Sequence, residues 1–213
     1  MEPAVPASRH VTPVEFQGPV GRMEGLWSDP GRGLPAAVIG HPHPAHGGSM
    51  HSKVVYTIYR VLDQTGHPTL RFNFRGVGKS EGAYSGWNEE KADVAAAAAF
   101  ARERTGRRPL WGAGFSFGAW VGLQWAMGDP EVERFIAVGL AANEGGYEFL
   151  DRVPWPLAIV QGERDQYGSP AALAELTRPL ERTGKVTERI VQGADHFFTG
   201  KLAELTQALE EIL

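Results

Sequence analysis

The sequence predicts an α/β protein, a mostly parallel sheet covered by helices on both faces. Three observations carry this. Short continuous apolar runs such as Ala36–Gly40 and Pro156–Val160 suit strands buried on both sides. Segments of helical spacing lie between them, so strands and helices alternate. At Gly114-Phe-Ser-Phe-Gly118 a buried strand gives way to a helix around a glycine-flanked serine.

Taken in order, residues 1 to about 12 are a proline-rich lead. Val14–Gln17 and Met23–Trp27 form a hairpin across Gly18, Pro19 and Gly21. Ala36–Gly40 is the first buried strand, and a loop rich in glycine, proline and histidine follows it. Val54, Val55, Ile58 and Leu62 recur at helical spacing, whereas Thr69–Phe74 alternates apolar and polar residues as a strand does. Gly76 to about Trp87 is a polar loop. The helix from Glu89 to about Thr105 carries five consecutive alanines, Ala95 to Ala99, small enough to let it lie close to a sheet. A strand ending at Leu110–Trp111 and a helix over Trp120–Trp125 flank the serine. Arg134–Gly139 and Pro156–Val160 are further buried strands, Ala171–Leu180 a helix and Val186–Val191 a strand. The last helix sets Leu202, Leu205, Leu209 and Ile212 on one face.

The 213 residues suit a single domain over 1–213. A formal net charge of -4 offers no basic footprint for nucleic acid. The absence of cysteine excludes disulfides, thiolate metal sites and a cysteine nucleophile. Met1–His10 has neither the basic flank nor the apolar run of a signal peptide, and the longest apolar run, Val94–Ala101, is too short to span a bilayer. The expectation is a cytoplasmic protein with no membrane partner.

The Gly114–Gly118 junction is a nucleophile elbow. There the serine takes a strained backbone conformation that projects its hydroxyl, and residues two positions away must lack bulk where strand and helix converge. The helix N-terminus beside it favours a developing negative charge. A serine hydroxyl also needs a base, a group to orient the base, and donors for the oxyanion. Ser116 is followed by Asp165, just beyond one strand, and by His196, just beyond another. That is the order Ser, acid, His found with this elbow, and both partners fall at the carboxyl edge of a parallel sheet. Glu163 and Asp195 are the competing acids.

In His41-Pro-His-Pro-Ala-His46, neither Pro42 nor Pro44 has an N–H to donate. The oxyanion donors are therefore assigned to the backbone N–H groups of His43 and Phe117. His41, His43, His46 and His51 crowd together, which raises a metal site as the rival reading. The loop lacks a carboxylate, and alternating prolines extend the chain and spread the side chains, so no metal or other cofactor is expected. Gly76-Val-Gly-Lys-Ser80 ends like a P-loop, yet Asn73 stands where the first glycine belongs. Gly112 and Gly114 open a dinucleotide fingerprint, but Gly118 falls one position late.

The stretches His41–Pro44, Gly47–Met50, Arg71–Gly82, Gly114–Gly118, Gly162–Asp165 and Asp195-His196 together resemble the small, lidless α/β-hydrolases related to dienelactone hydrolase. The resemblance runs from about residue 14 to the C-terminus. That enzyme uses a cysteine where this chain has Ser116, so the likeness is to the serine carboxylesterases of the group. It implies the α/β-hydrolase fold and the Ser-His-Asp triad, and leaves the substrate open.

Only Leu140–Pro154 separates two strands where related folds insert a cap, so the site should be open. Tyr84, Trp87, Tyr147, Phe149, Phe197 and Phe198 are the expected apolar walls, with Met50 close to the oxyanion donors in sequence. The expected activity is hydrolysis of small carboxylic esters through an acyl-enzyme. A peptidase or thioesterase on the same triad, or a catalytically idle binding module, are the alternatives.

Overall fold

A computed structural model describes residues 11–181 and 183–213. Its eight strands are β1 (Thr12–Gly18), β2 (Gly21–Ser28), β3 (Ala36–Gly40), β4 (Thr69–Phe72), β5 (Leu110–Phe115), β6 (Val132–Val138), β7 (Leu157–Gly162) and β8 (Val186–Val191). They form one sheet in the order β1-β2-β4-β3-β5-β6-β7-β8. The β1–β2 and β2–β4 pairs are antiparallel, and every pairing from β4 to β8 is parallel. The helices are α1 (Lys53–Thr65), α2 (Glu90–Thr105), α3 (Phe117–Ala126), α4 (Pro170–Glu181) and α5 (Leu202–Ile212). Of the proline-rich lead, residues 1–10 lie outside the described residues, and Thr12 already pairs in β1 against Trp27.

The central strands alternate between two cores. Ala36 and Val38 of β3 face the core built with α2, α3 and α4, while Ala37 and Ile39 face the one built with α1 and α5. β7 does the same, with Leu157 and Ile159 on one side and Ala158 and Val160 on the other. Burial on both faces is why these strands read as unbroken apolar runs. Ala97, Ala98 and Ala101 of the alanine-rich α2 are fully buried against the first core.

Two strand expectations change. β4 ends at Phe72, and its polar positions do not face water. Arg71 is buried beneath α1, its guanidinium 4.8 Å from the Tyr59 ring and 5.3 Å from that of Tyr56, and it donates to the Met50 carbonyl at 3.1 Å. Aromatic faces and a carbonyl make the buried cation tolerable. The elbow strand does not stop at Trp111 but runs to Phe115, since pairing with β6 continues from Trp111 to Phe115. Gly112 and Gly114 are thus inside the strand. A Cβ on Gly112 would sit 2.3 Å from the Phe135 ring, so glycine there answers to packing rather than to a turn.

Candidate active site

The β5–α3 junction turns on one residue. Ser116 has φ 54° and ψ -120°, outside the usual space for a residue with a Cβ. Its N–H donates to the Val138 carbonyl at 2.9 Å, and its own carbonyl accepts from Ala119 and Trp120 at 2.9 and 3.1 Å. These bonds hold the strained turn. The flanking glycines are required by contact: a Cβ on Gly114 would lie 2.5 Å from the Ala119 nitrogen, and one on Gly118 2.3 Å from the Gly40 carbonyl carbon. Gly118 therefore lets α3 press against the end of β3, which brings the histidine-rich loop beside Ser116.

His196, on the loop after β8, is 3% exposed. Its Nε2 lies 3.0 Å from Ser116 Oγ and its Nδ1 2.7 Å from Asp165 Oδ2. An ionised carboxylate only accepts, so Nδ1 carries the proton and Nε2 is left to accept from the serine hydroxyl. Asp165 is buried and receives three further donors: Tyr167 N–H at 2.8 Å and Gly168 N–H at 3.1 Å on Oδ1, and Gln161 Nε2 at 2.8 Å on Oδ2. These donors satisfy the lone pairs of a carboxylate withdrawn from water. The competing acids are engaged elsewhere. Glu163 accepts from Gly193 N–H, and Asp195 from Thr199 N–H, which holds its carboxyl below the usual range.

Ser116, Phe117, His43 and His196 line one open cavity of about 700 Å³. Trp87, Tyr147 and Phe197 also line it. Trp87 has φ 98°, and its indole meets the Phe117 phenyl and the Trp120 indole edge-on at 5.0 and 5.3 Å. The Tyr147 hydroxyl accepts from Ala141 N–H at 3.2 Å, and burial pushes its pKa up, so it stays neutral. Leu140–Pro154 contributes two short 3-10 turns, Ala142–Glu144 and Glu148–Arg152, which form a rim rather than a cap.

Met50 and three of the expected wall residues lie elsewhere. Met50 is buried, with its N–H on Asn73 Oδ1 at 2.8 Å and its carbonyl on Arg71, so it anchors the loop instead of lining the cavity. Phe149 packs at the edge of the first core, and Phe198 is fully buried in the second. Tyr84 stands one layer back, its hydroxyl 3.1 Å from His43 Nε2. Conversely, the sequence reading missed Gln161, Trp120 and Tyr167. Gln161 is fully buried and ties Asp165 to the Leu140 and Gly168 carbonyls at 3.0 and 2.7 Å. A glutamine inside an apolar strand was the available signal, because a buried amide must find partners. Tyr167 meets the His196 ring at 4.7 Å.

The histidine loop does not gather its rings around one point. His41 is buried with both ring nitrogens in use, and the His43 and His46 rings stack at 4.5 Å. Among the described residues no group of three or more His, Cys, Asp or Glu is placed to hold a metal ion. Burial and the neighbouring His46 push the His43 pKa down, against Glu90.

The chain is similar to solved structures over nearly its whole length. It is 35% identical to an α/β serine hydrolase homologue from Coxiella burnetii, covering 95% of this chain and 97% of that one, with a TM-score of 0.87. It is 31% identical to an α/β serine hydrolase without a lid from Xanthomonas campestris, covering 99% and 95%, with a TM-score of 0.83. The chain belongs to the α/β-hydrolases. The family described as serine aminopeptidase, S33, matches residues 43–147 of this hydrolase. An esterase from Pyrococcus furiosus shares the fold at 18% identity, covering 96% and 94%, with a TM-score of 0.76. Among the described residues of the hydrolase, no helix is long and apolar enough to cross a membrane.

Proposed function

We propose that this α/β-hydrolase is a serine carboxylesterase acting on small esters through an acyl-enzyme. The observation that carries the reading is the His196 ring, held between Asp165 at 2.7 Å and Ser116 at 3.0 Å on the wall of an open cavity. Ser116 Oγ attacks the ester carbonyl as its proton passes to His196 Nε2. Asp165 holds the resulting imidazolium. The His43 and Phe117 N–H groups receive the tetrahedral oxyanion, the second being at the start of α3, where N–H groups have no partner within the helix. His196 returns the proton to the leaving alcohol as the C–O bond breaks. Water, with His196 again as base, then cleaves the acyl-enzyme. Within the family, the motifs at 41–50, 71–82 and 114–118 support a place beside the dienelactone-hydrolase-related carboxylesterases.

A panel of p-nitrophenyl esters, matched thioesters and amino-acid anilides tests the reading. Ester turnover is expected to dominate. Preference for an anilide with a free amino group would favour the aminopeptidase alternative. Failure of a fluorophosphonate to label Ser116 would make the protein an idle binding module.

Acyl-chain length gives a second test. Each methylene gains roughly 0.8 kcal/mol only while there is apolar wall to bury it. The walls here surround an open mouth, and the 140–154 rim contributes only two short 3-10 turns. kcat/KM is expected to rise over the first few carbons and then fall. A steady rise to long chains, or a jump above the substrate's solubility limit, would show a tunnel or lid.

A further inference from the structure

His41 is fully buried and takes no part in the proton transfers above. Its ring has two contacts that fix its tautomer. Phe74 N–H donates to Nε2 at 3.1 Å, and a backbone N–H can only donate. Nε2 is therefore bare, and the neutral ring carries its proton on Nδ1. Nδ1 faces the Pro42 carbonyl at 2.6 Å, an acceptor only, so the bond runs from His41 to Pro42. The Phe74 ring packs edge-on against His41 at 4.8 Å and closes the pocket.

The Pro42 carbonyl belongs to the same peptide unit as the His43 N–H. That peptide is trans, so the two point in opposite directions. Holding the oxygen toward the buried His41 aims the N–H the other way, and His43 lines the cavity. The next unit is fixed as well: the His43 carbonyl accepts from His46 and Gly48 N–H, both at 3.1 Å. Gly48 is held tight on the Pro42 carbonyl, where a Cβ would stand 2.0 Å from the oxygen.

We propose that His41 is a positioning residue: its Nδ1–H grips the Pro42 carbonyl and thereby sets the direction of the His43 N–H toward the oxyanion. The inference rests on the reading of His43 N–H as an oxyanion donor. Burial lowers the His41 pKa to about 4, so through the neutral range the ring stays neutral and Nε2 remains free to accept from Phe74 N–H.

The two contacts can be separated by substitution. The asparagine amide stands where Nδ1 does and can still donate to Pro42. Glutamine reaches toward Phe74 N–H but leaves Pro42 unheld. His41→Gln is expected to lower kcat for p-nitrophenyl acetate, and the rate of Ser116 phosphonylation by a small fluorophosphonate, by about thirtyfold, part of what a lost oxyanion donor costs. KM should change little. His41→Asn should recover most of both rates, although it removes more volume. If glutamine keeps wild-type rates, or asparagine is the slower, His41 serves packing or Phe74 alone and the proposal falls.

A second pair tests the underlying assignment. His43 has φ -52°, which proline can adopt, so His43→Pro deletes the N–H whereas His43→Ala keeps it. The proline variant should be slower than the alanine variant by on the order of a hundredfold. Equal rates would remove the donor assignment and the His41 proposal with it. A large difference beside an unaffected His41→Gln would remove the His41 proposal alone. Nitrogen NMR of the wild-type imidazoles needs no variant to fold. It should show a His41 proton on Nδ1 from pH 8 to 5, and a proton on Nε2 would overturn the proposal.

Discussion

Ser116→Ala is expected to lower ester hydrolysis by about a thousandfold or more while the protein remains folded. The serine hydroxyl has one side-chain partner, His196 Nε2 at 3.0 Å, and its loss leaves that nitrogen without a proton to take. The fold should not notice. Alanine keeps the Cβ that the residue already carries at φ 54°, and the backbone bonds to Val138, Ala119 and Trp120 are untouched. Rates and fluorophosphonate labelling of wild type and variant, with thermal unfolding of each, check this. Substantial turnover by the variant, free of host esterase, would remove Ser116 as nucleophile.

Asp165→Asn should be of comparable severity, about ten-thousandfold in kcat by the logic of a misassigned tautomer. The surroundings of the carboxylate decide how an asparagine would sit. Oδ1 accepts two backbone N–H groups, from Tyr167 and Gly168, so the amide oxygen must stay there. The NH₂ then replaces Oδ2, opposite the Gln161 amide and His196 Nδ1. It can be satisfied only if His196 accepts at Nδ1 and carries its proton on Nε2. That tautomer cannot take the serine proton. Asp195→Asn and Glu163→Gln should leave turnover within a few-fold of wild type, since those acids bind Thr199 and Gly193 N–H. If Asp195→Asn were the more damaging, the wrong acid would have been assigned.

Those features of the candidate site that local sequence sets were legible in the chain, and those set by packing were not. The elbow could be read because a serine between two glycines leaves its steric demand in the chain itself. The positions of Asp165 and His196 followed from strand ends, the first of them marked by an apolar run. The alternation of Thr69–Phe74 misled, because whether Arg71 meets water depends on Tyr56 and Tyr59 of a helix that no local pattern places over it. Met50 was put at the site by proximity in sequence, yet Arg71 and Asn73 hold its backbone. Gln161 shows the reverse: the odd polar residue was visible, but its partners come from two separate loops.

His196 hangs on β8, which among the described residues pairs only with β7 and ends the sheet, whereas Ser116 follows β5 in its middle. The proposed base and nucleophile thus belong to regions expected to differ in persistence. An edge strand opens at lower free energy than central ones. Partial denaturation should therefore silence the protein while β3 and β5 amides still resist hydrogen exchange, so that activity reports the integrity of the sheet's border and not of its centre.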